Sequence, residues 1–190
     1  MILFYILVID VKTGLFSTIN VAGYTMTEVW KNIEWFSEYS ISSFGRVRSN
    51  KSGRILSTSP NQFGVVQVGL MKDGTQYHRS VPLLVAKAFL PIKPGPFDTP
   101  INLDGDRYNN RLENLLWRPR WFAIKYNRQF RYPSDLHISR PLVDKKTGEV
   151  SLNSMECAKT YGLLEEEIVL AITNRTYVWP TYQEFHVLED

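Results

Sequence analysis

The chain is poor in the residues that staple or metallate a fold: it has one cysteine, Cys157, and three histidines among 190 residues. One thiol excludes an intrachain disulfide and any CxxC-type zinc site, and points to a reducing compartment. Long hydrophobic runs are also missing. The apolar start at residues 1–9 stops at Asp10, which is too short to span a bilayer, and it carries no basic leader or small-residue cleavage site. It is expected to be a buried strand. Charge is not scarce, and its order matters more than its net value of +3. Residues 107–131 hold seven basic side chains against the single acid Glu113, whereas residues 149–190 hold eight acids against Lys159 and Arg175. A polyanion would be drawn to the first stretch and repelled by the second. The alternative is that the two neutralise each other within one fold.

Hydrophobic residues at 44% and charged residues at 22% suit a soluble globular chain. Residues 1–24 read as a hairpin turning at Asp10-Val11-Lys12-Thr13-Gly14. A similar phrase recurs at Asp144-Lys145-Lys146-Thr147-Gly148, through duplication or through shared turn chemistry. Residues 28–70 alternate in period two between glycine turns, as in a small antiparallel sheet. From Val81 to Phe89 the period becomes helical, with Pro82 in the first turn and Leu84, Val85, Ala88 and Phe89 as the apolar face. The proline-rich residues 91–96 end that helix. A short strand and turn follow at residues 100–106, then a helix from about Arg120 to Arg131. From Ser154, the candidate cap, the tail reads as helix, turn at Gly162, helix. Met155, Ala158 and Tyr161 face inward on the first of these helices, and Ile168, Ala171 and Ile172 on the second. The aromatic end from Tyr177 to Leu188 is expected to be extended.

Four phrases then stand in one order. Glu28-Val29-Trp30-Lys31-Asn32-Ile33 with Tyr39-Ser40-Ile41-Ser42-Ser43-Phe44-Gly45-Arg46-Val47-Arg48-Ser49 resembles a DNA-associated module at the front of phage and intron HNH homing endonucleases. Leu84-Val85-Ala86-Lys87-Ala88-Phe89-Leu90-Pro91 resembles the helix before their nuclease motif. Ile101-Asn102-Leu103-Asp104-Gly105-Asp106, Asn109-Asn110-Arg111-Leu112-Glu113-Asn114-Leu115 and Trp117 resemble the motif itself. Residues 154–175 are similar to their appended helix-turn-helix module.

The resemblance implies hydrolysis of a phosphodiester with one divalent ion and a histidine base that activates water. It places the first metal ligand at Asn102, the base at Leu103, a structural asparagine at Asn114 and the helical ligand at Ala123. Leucine accepts no proton and alanine binds no metal, so these are vestigial positions. No metal or other cofactor is expected, with Mg²⁺ required only by a rearranged, active site. His78, the nearest histidine in sequence, is expected at a strand end, and His137 and His186 elsewhere. Whether the chain is still an enzyme is left open by the sequence.

Binding equipment remains. Arg46 and Arg48, two apart on a strand, share a face. Arg107, Arg111, Arg118, Arg120, Lys125 and Arg128 combine charge with Tyr108 and Trp121, while Trp117 is expected in the core. At the start of the last helix Glu165-Glu166-Glu167 complements the helix dipole but repels phosphate, so that module is expected to pack on the basic segment or to bind a protein.

The expected fold is α+β: a small antiparallel sheet, a ββα-metal (HNH-like) core without its metal, and a small helical C-terminal module. The expected divisions are residues 1–24, 25–75, 76–132 and 133–190. The expected function is binding of DNA or structured RNA without cleavage. The alternatives are an interaction subunit of a phage nucleoprotein assembly, which uses the acidic module to contact protein, and an active HNH endonuclease. No membrane partner is expected. The implied location is the cytoplasm of a phage-infected bacterial cell, or a phage assembly.

Overall fold

Among the described residues, short strands outnumber helices, and left-handed turns separate several of them. The computed structural model describes residues 5–9, 16–20, 27–91 and 95–189. Strands β1 (Tyr5–Ile9) and β2 (Phe16–Asn20) pair antiparallel. The turn expected at residues 10–14, and residues 92–94 of the proline connector, lie outside the described residues.

The period-two region forms two three-stranded antiparallel sheets rather than one. The first joins β3 (Trp30–Ile33), β4 (Phe36–Ser42) and β5 (Val47–Ser49). The second joins β6 (Thr58–Pro60), β7 (Val66–Lys72) and β8 (Thr75–Ser80). The break falls after the turn at residues 49–54, where Gly53 takes φ +69 and Ser49 N donates to Arg54 O at 2.9 Å. Along β7, Val66, Val68 and Leu70 alternate into the core and the residues between them do not.

Helix α1 (Val81–Phe89) covers this region. Ser80 caps it by accepting from Leu83 N, and Leu90 before Pro91 ends it. Its deepest residues are Val81, Pro82, Val85 and Ala86, while Leu84, Ala88 and Phe89 pack at the margin. The buried face is thus rotated from the one read in the sequence, because α1 is covered from two sides. Ile33, Ile41, Val47, Val68, Leu70 and Val85 anchor this first core, and burying each stabilises the fold by about 1.5–3 kcal/mol.

Strands β9 (Thr99–Asn102) and β10 (Leu115–Arg118) pair antiparallel and are followed by helix α2 (Arg120–Arg131). A 3-10 turn at Leu112–Asn114 leads into β10. Ile101, Phe122, Ala123 and Tyr126 form a second core, which also takes in Leu164.

The C-terminal part has strands β11 (Leu142–Asp144), β12 (Val150–Ser151) and β13 (Phe185–Val187) in the order β12-β11-β13. Helices α3 (Ser154–Tyr161) and α4 (Glu165–Asn174) pack against them. The cap of α3 is Asn153, whose side chain accepts from Glu156 N, not Ser154. Ser154 is fully buried because its hydroxyl serves another element. Cys157, rather than Met155, points into the third core beside Ala158, Leu163 and Ile168. Gly162 closes α3 in the left-handed conformation at φ 60. The fold is therefore α+β, with small antiparallel sheets and four α-helices among the described residues.

Candidate nucleic-acid interface and the closed site beneath it

Asn102 ends β9 opposite Leu115 and is buried. Its amide donates to Asn109 O at 2.8 Å and to Asn110 Oδ1 at 3.1 Å. Asn114 donates to Asp104 Oδ1 at 2.8 Å and Asn109 O at 2.7 Å, and accepts from Asp104 N at 3.0 Å. Asn109 Nδ2 donates to Asp104 Oδ2 at 2.6 Å, and Asp106 N to Asp104 Oδ1 at 2.9 Å. The loop from 102 to 114 is thus stitched shut by its own amides, with Asn114 in the tying position expected of it. Gly45 sets this loop against the first sheet. At φ +80 it brings the backbone so close that a Cβ would lie 2.9 Å from Asn110 O, and Leu112 N donates to Ser43 O at 2.8 Å.

Leu103 and Ala123 sit with the second core. Tyr126, fully buried, donates its hydroxyl to Leu103 O at 2.7 Å, and burial pushes its phenol well above the usual range. The turn between α3 and α4 closes over this cluster. A Cβ on Gly162 would stand 2.9 Å from side-chain carbons of both Leu103 and Leu116.

The one-ion chemistry implied by the resemblance needs an oxygen or nitrogen ligand at 102 and 123 and a base at 103. These residues do not fit it. Asn102 is held through Nδ2, not through the oxygen a metal would take, but Leu103 and Ala123 offer no donor atom, and both Asp104 oxygens already accept from amides. Among the described residues no three His, Cys, Asp or Glu side chains gather as metal ligands. His78 lies in β8 opposite Gly69, and His186 lies in β13 opposite Val143.

The same turn accounts for Arg118, which the sequence reading assigned to phosphate. Arg118 is buried, with 2% of its surface exposed. It donates through Nε to Gly162 O at 3.0 Å, through Nη2 to Tyr161 O at 2.8 Å and through Nη1 to Trp117 O at 3.1 Å. It satisfies carbonyls at the C-terminal end of α3, where the dipole favours a cation. Burial pulls its guanidinium down to about 10, still charged at neutral pH. Gln129 completes the clasp: it accepts from Glu165 N at 2.9 Å and donates to Leu163 O at 3.3 Å.

Glu165 likewise turns inward, accepting from Ser154 Oγ at 2.7 Å and lying 2.7 Å from His137 Nδ1. Only Glu166 and Glu167 of the acidic run are exposed. They share a groove of about 340 Å³ with Lys125, Arg128 and Tyr132 of the α2 side.

The remaining basic residues lie at the surface or its edge. Arg120, Lys125 and Arg128 are exposed along α2 beside Trp121, with Lys125 Nζ 5.7 Å from the Trp121 ring and Arg128 5.8 Å from Tyr132. Trp121 stacks on Trp179 at 5.2 Å. Arg111 pairs with Glu113 at 2.5 Å and lies 3.7 Å over Phe44. Arg107 donates to Phe63 O. Arg46 and Arg48 do share a neighbour, lying 5.8 Å and 4.4 Å from the Trp30 ring. Arg46 is also held by Glu28, and its donation keeps the Glu28 carboxyl below the usual range. Trp117 is buried, as expected. Sequence reasoning missed Gln129, Glu165 and the role of Arg118. The available signal was that 103 and 123 are apolar, which announces a packed surface.

Residues 28–70 match the NUMOD4 motif. The chain is 36% identical over 92 residues to "Uncharacterized HNH endonuclease L245" of Acanthamoeba polyphaga mimivirus, covering 48% of this chain and 27% of that protein. It is 37% identical over 95 residues to "Uncharacterized HNH endonuclease L247" of the same virus, covering 48% and 24%. The chain therefore spans about a quarter of the length of these curated relatives. A solved structure titled "DNA binding and cleavage by the HNH homing endonuclease I-HmuI" aligns with TM-score 0.48 and 19% identity, over 85% of this chain and 99% of that one. No helix among the described residues is long and apolar enough to cross a membrane.

Proposed function

We propose that this chain is of the HNH homing-endonuclease type and that it binds duplex DNA without cutting it. One observation carries the reading: α2 presents Arg120, Lys125 and Arg128 to solvent, while the cluster on its other face is packed with Leu103, Phe122, Ala123 and Leu164. The cations remain available to phosphate oxygens, and the positions of the base and of the helical ligand, 103 and 123, carry hydrocarbon. Arg111 and Arg46, each paired with one carboxylate at the surface, add contacts that a phosphate can claim by displacing that acid. The family divisions at residues 25–75, 76–132 and 133–190 serve this reading as two binding modules and a helical cover.

The test is a titration of labelled duplex DNA at 50 to 200 mM salt, followed by incubation with Mg²⁺ or Mn²⁺. Affinity should fall steeply with salt, with a slope of about −0.9 per phosphate contacted. Arg111→Glu and Arg120→Glu should each lower that slope by about one, and the duplex should stay intact. Salt-independent binding would remove the DNA claim. Metal-dependent cutting abolished by Asn102→Ala or His78→Ala would remove the claim of inactivity.

A second reading, a protein-binding subunit, is favoured by the exposed Glu166 and Glu167 beside α2. Under that reading, Glu166→Lys with Glu167→Lys would abolish partner capture and leave DNA affinity unchanged. Under the first reading the same pair of substitutions raises DNA affinity by removing repulsion.

A further inference from the structure

The tip of the hairpin between β3 and β4 holds Trp35 in the left-handed region, at φ 69. A bulky side chain is uncommon there, and such conformations gather where a site needs them. The strain does not serve packing, because Trp35 is 77% exposed. The next residue, Phe36, is buried and meets Tyr77 edge-on at 5.7 Å, so the tip is anchored while Trp35 stands clear.

Beside it runs a groove of about 310 Å³ between the hairpin, β8 and α1. Trp35, Phe36 and Leu84 give it apolar walls, and Lys31, Arg79 and Lys87 supply cations against one acid, Glu34. Arg79 lies 5.1 Å from the rings of both Phe36 and Tyr77. A further cation, Lys72, stands 5.7 Å from the Trp35 ring. None of these residues belongs to α2 or to the vestigial site.

An aromatic wall, an apolar floor and a cationic rim match one chemistry: a nucleobase offering its face to the ring and its phosphates to the rim. We infer that this groove takes a single unstacked nucleobase of a bound strand, stacked on Trp35, with the flanking phosphates on Arg79 and Lys87. The inference rests on the reading that the chain binds DNA, and locates a point where a base leaves the stack.

The experiment uses the full chain with a 12-nucleotide single strand carrying 2-aminopurine, and with a fully paired duplex of the same sequence. Wild type should bind the single strand and quench its fluorescence. Trp35→Gly should bind it about tenfold more weakly and lose the quenching, while Trp35→Phe stays within about threefold of wild type. Trp35→Gly is a safe probe of folding because glycine is at ease at this φ, and its thermal midpoint should not fall. Equal affinity and equal quenching for wild type and Trp35→Gly, with duplex binding intact, would overturn the groove and leave the DNA reading standing. Absence of binding to either oligonucleotide would overturn both. Competition by poly-glutamate as strong as by the oligonucleotide, and unaltered in Trp35→Gly, would show a merely cationic surface and overturn the base-stacking claim.

Discussion

Replacing Arg118 by alanine separates the structural role of that residue from a binding role. The side chain satisfies Tyr161 O and Gly162 O, which close the C-terminal end of α3. Removing it strands two enclosed carbonyls at about 1–3 kcal/mol each. The three methylenes of its buried stem account for about 2 kcal/mol more. Against this stands the relief of a buried charge. With the guanidinium pulled from 12.5 to about 10, holding it charged costs the fold about 3 kcal/mol. The net loss is about 3 kcal/mol, which for a chain of this size lowers the thermal midpoint by roughly 6–12 °C. Urea unfolding read by tryptophan fluorescence measures the loss, and a salt titration of duplex binding on the same sample measures the other arm. Arg118→Ala should leave the salt slope unchanged, whereas Arg120→Ala, two residues away and exposed, should lower the slope and leave stability within about 0.5 kcal/mol. Unchanged stability together with a slope reduced by one would refute the buried-clasp argument and return Arg118 to the phosphate contacts.

Gly162→Ala should destabilise by about 2–3 kcal/mol in the same urea assay, because a methyl at φ 60 is both strained and pressed on Leu103 and Leu116; a neutral result would mean that the turn is not seated on the cluster. Cys157 is buried, and burial pushes its thiol up to about 12, so it should resist a thiol-disulfide reagent at pH 8 until urea unfolds the chain. Reaction of the native protein at the unfolded rate would contradict that. Burial raises the Asp144 carboxyl, but donation from Lys146 N and Gln183 outweighs this and holds it below the usual range. The folded state then prefers the ionised form. Its contribution is full above the ordinary carboxylate range and disappears as the pH falls through the lowered value. Asp144→Asn should therefore reduce stability at pH 7 and flatten its fall on the acid side, below the ordinary carboxylate range, and an unchanged acid limb would exclude the effect.

What the sequence revealed divides by range. Helix α2 was legible from Arg120 to Arg131 and α1 from Val81 to Phe89, because capping, proline and periodicity act within one or two turns. The tying role of Asn114 and the burial of Trp117 were legible through the resemblance. The seat of Arg118 was not, since its partners Tyr161 and Gly162 lie 43 and 44 residues away and an arginine in a basic run gives no local sign of burial. Glu165 was hidden for the same reason. Next to Glu166 and Glu167 it reads as one of three equivalent surface charges, and only the approach of Ser154 and Gln129 distinguishes it. The period-two pattern located the strands but not their division into two sheets, because alternation states which face is buried and not against what.

The seating of Gly162 on Leu103 and Leu116 also bears on how this chain can change over time. Under the proposed reading, an open cleft would accept a histidine base by one substitution. Here an imidazole at 103, or at 123, would enter a volume already filled by the turn of the last two helices and would meet hydrocarbon rather than water. Under the proposed reading, seating a base or a ligand there would require the clasp of Arg118 and Gln129 to let go first, and a polar side chain introduced alone would reduce stability. Leu103, Ala123 and the docked turn hold one another in place, so that a change at either position has to be matched by a change in the turn.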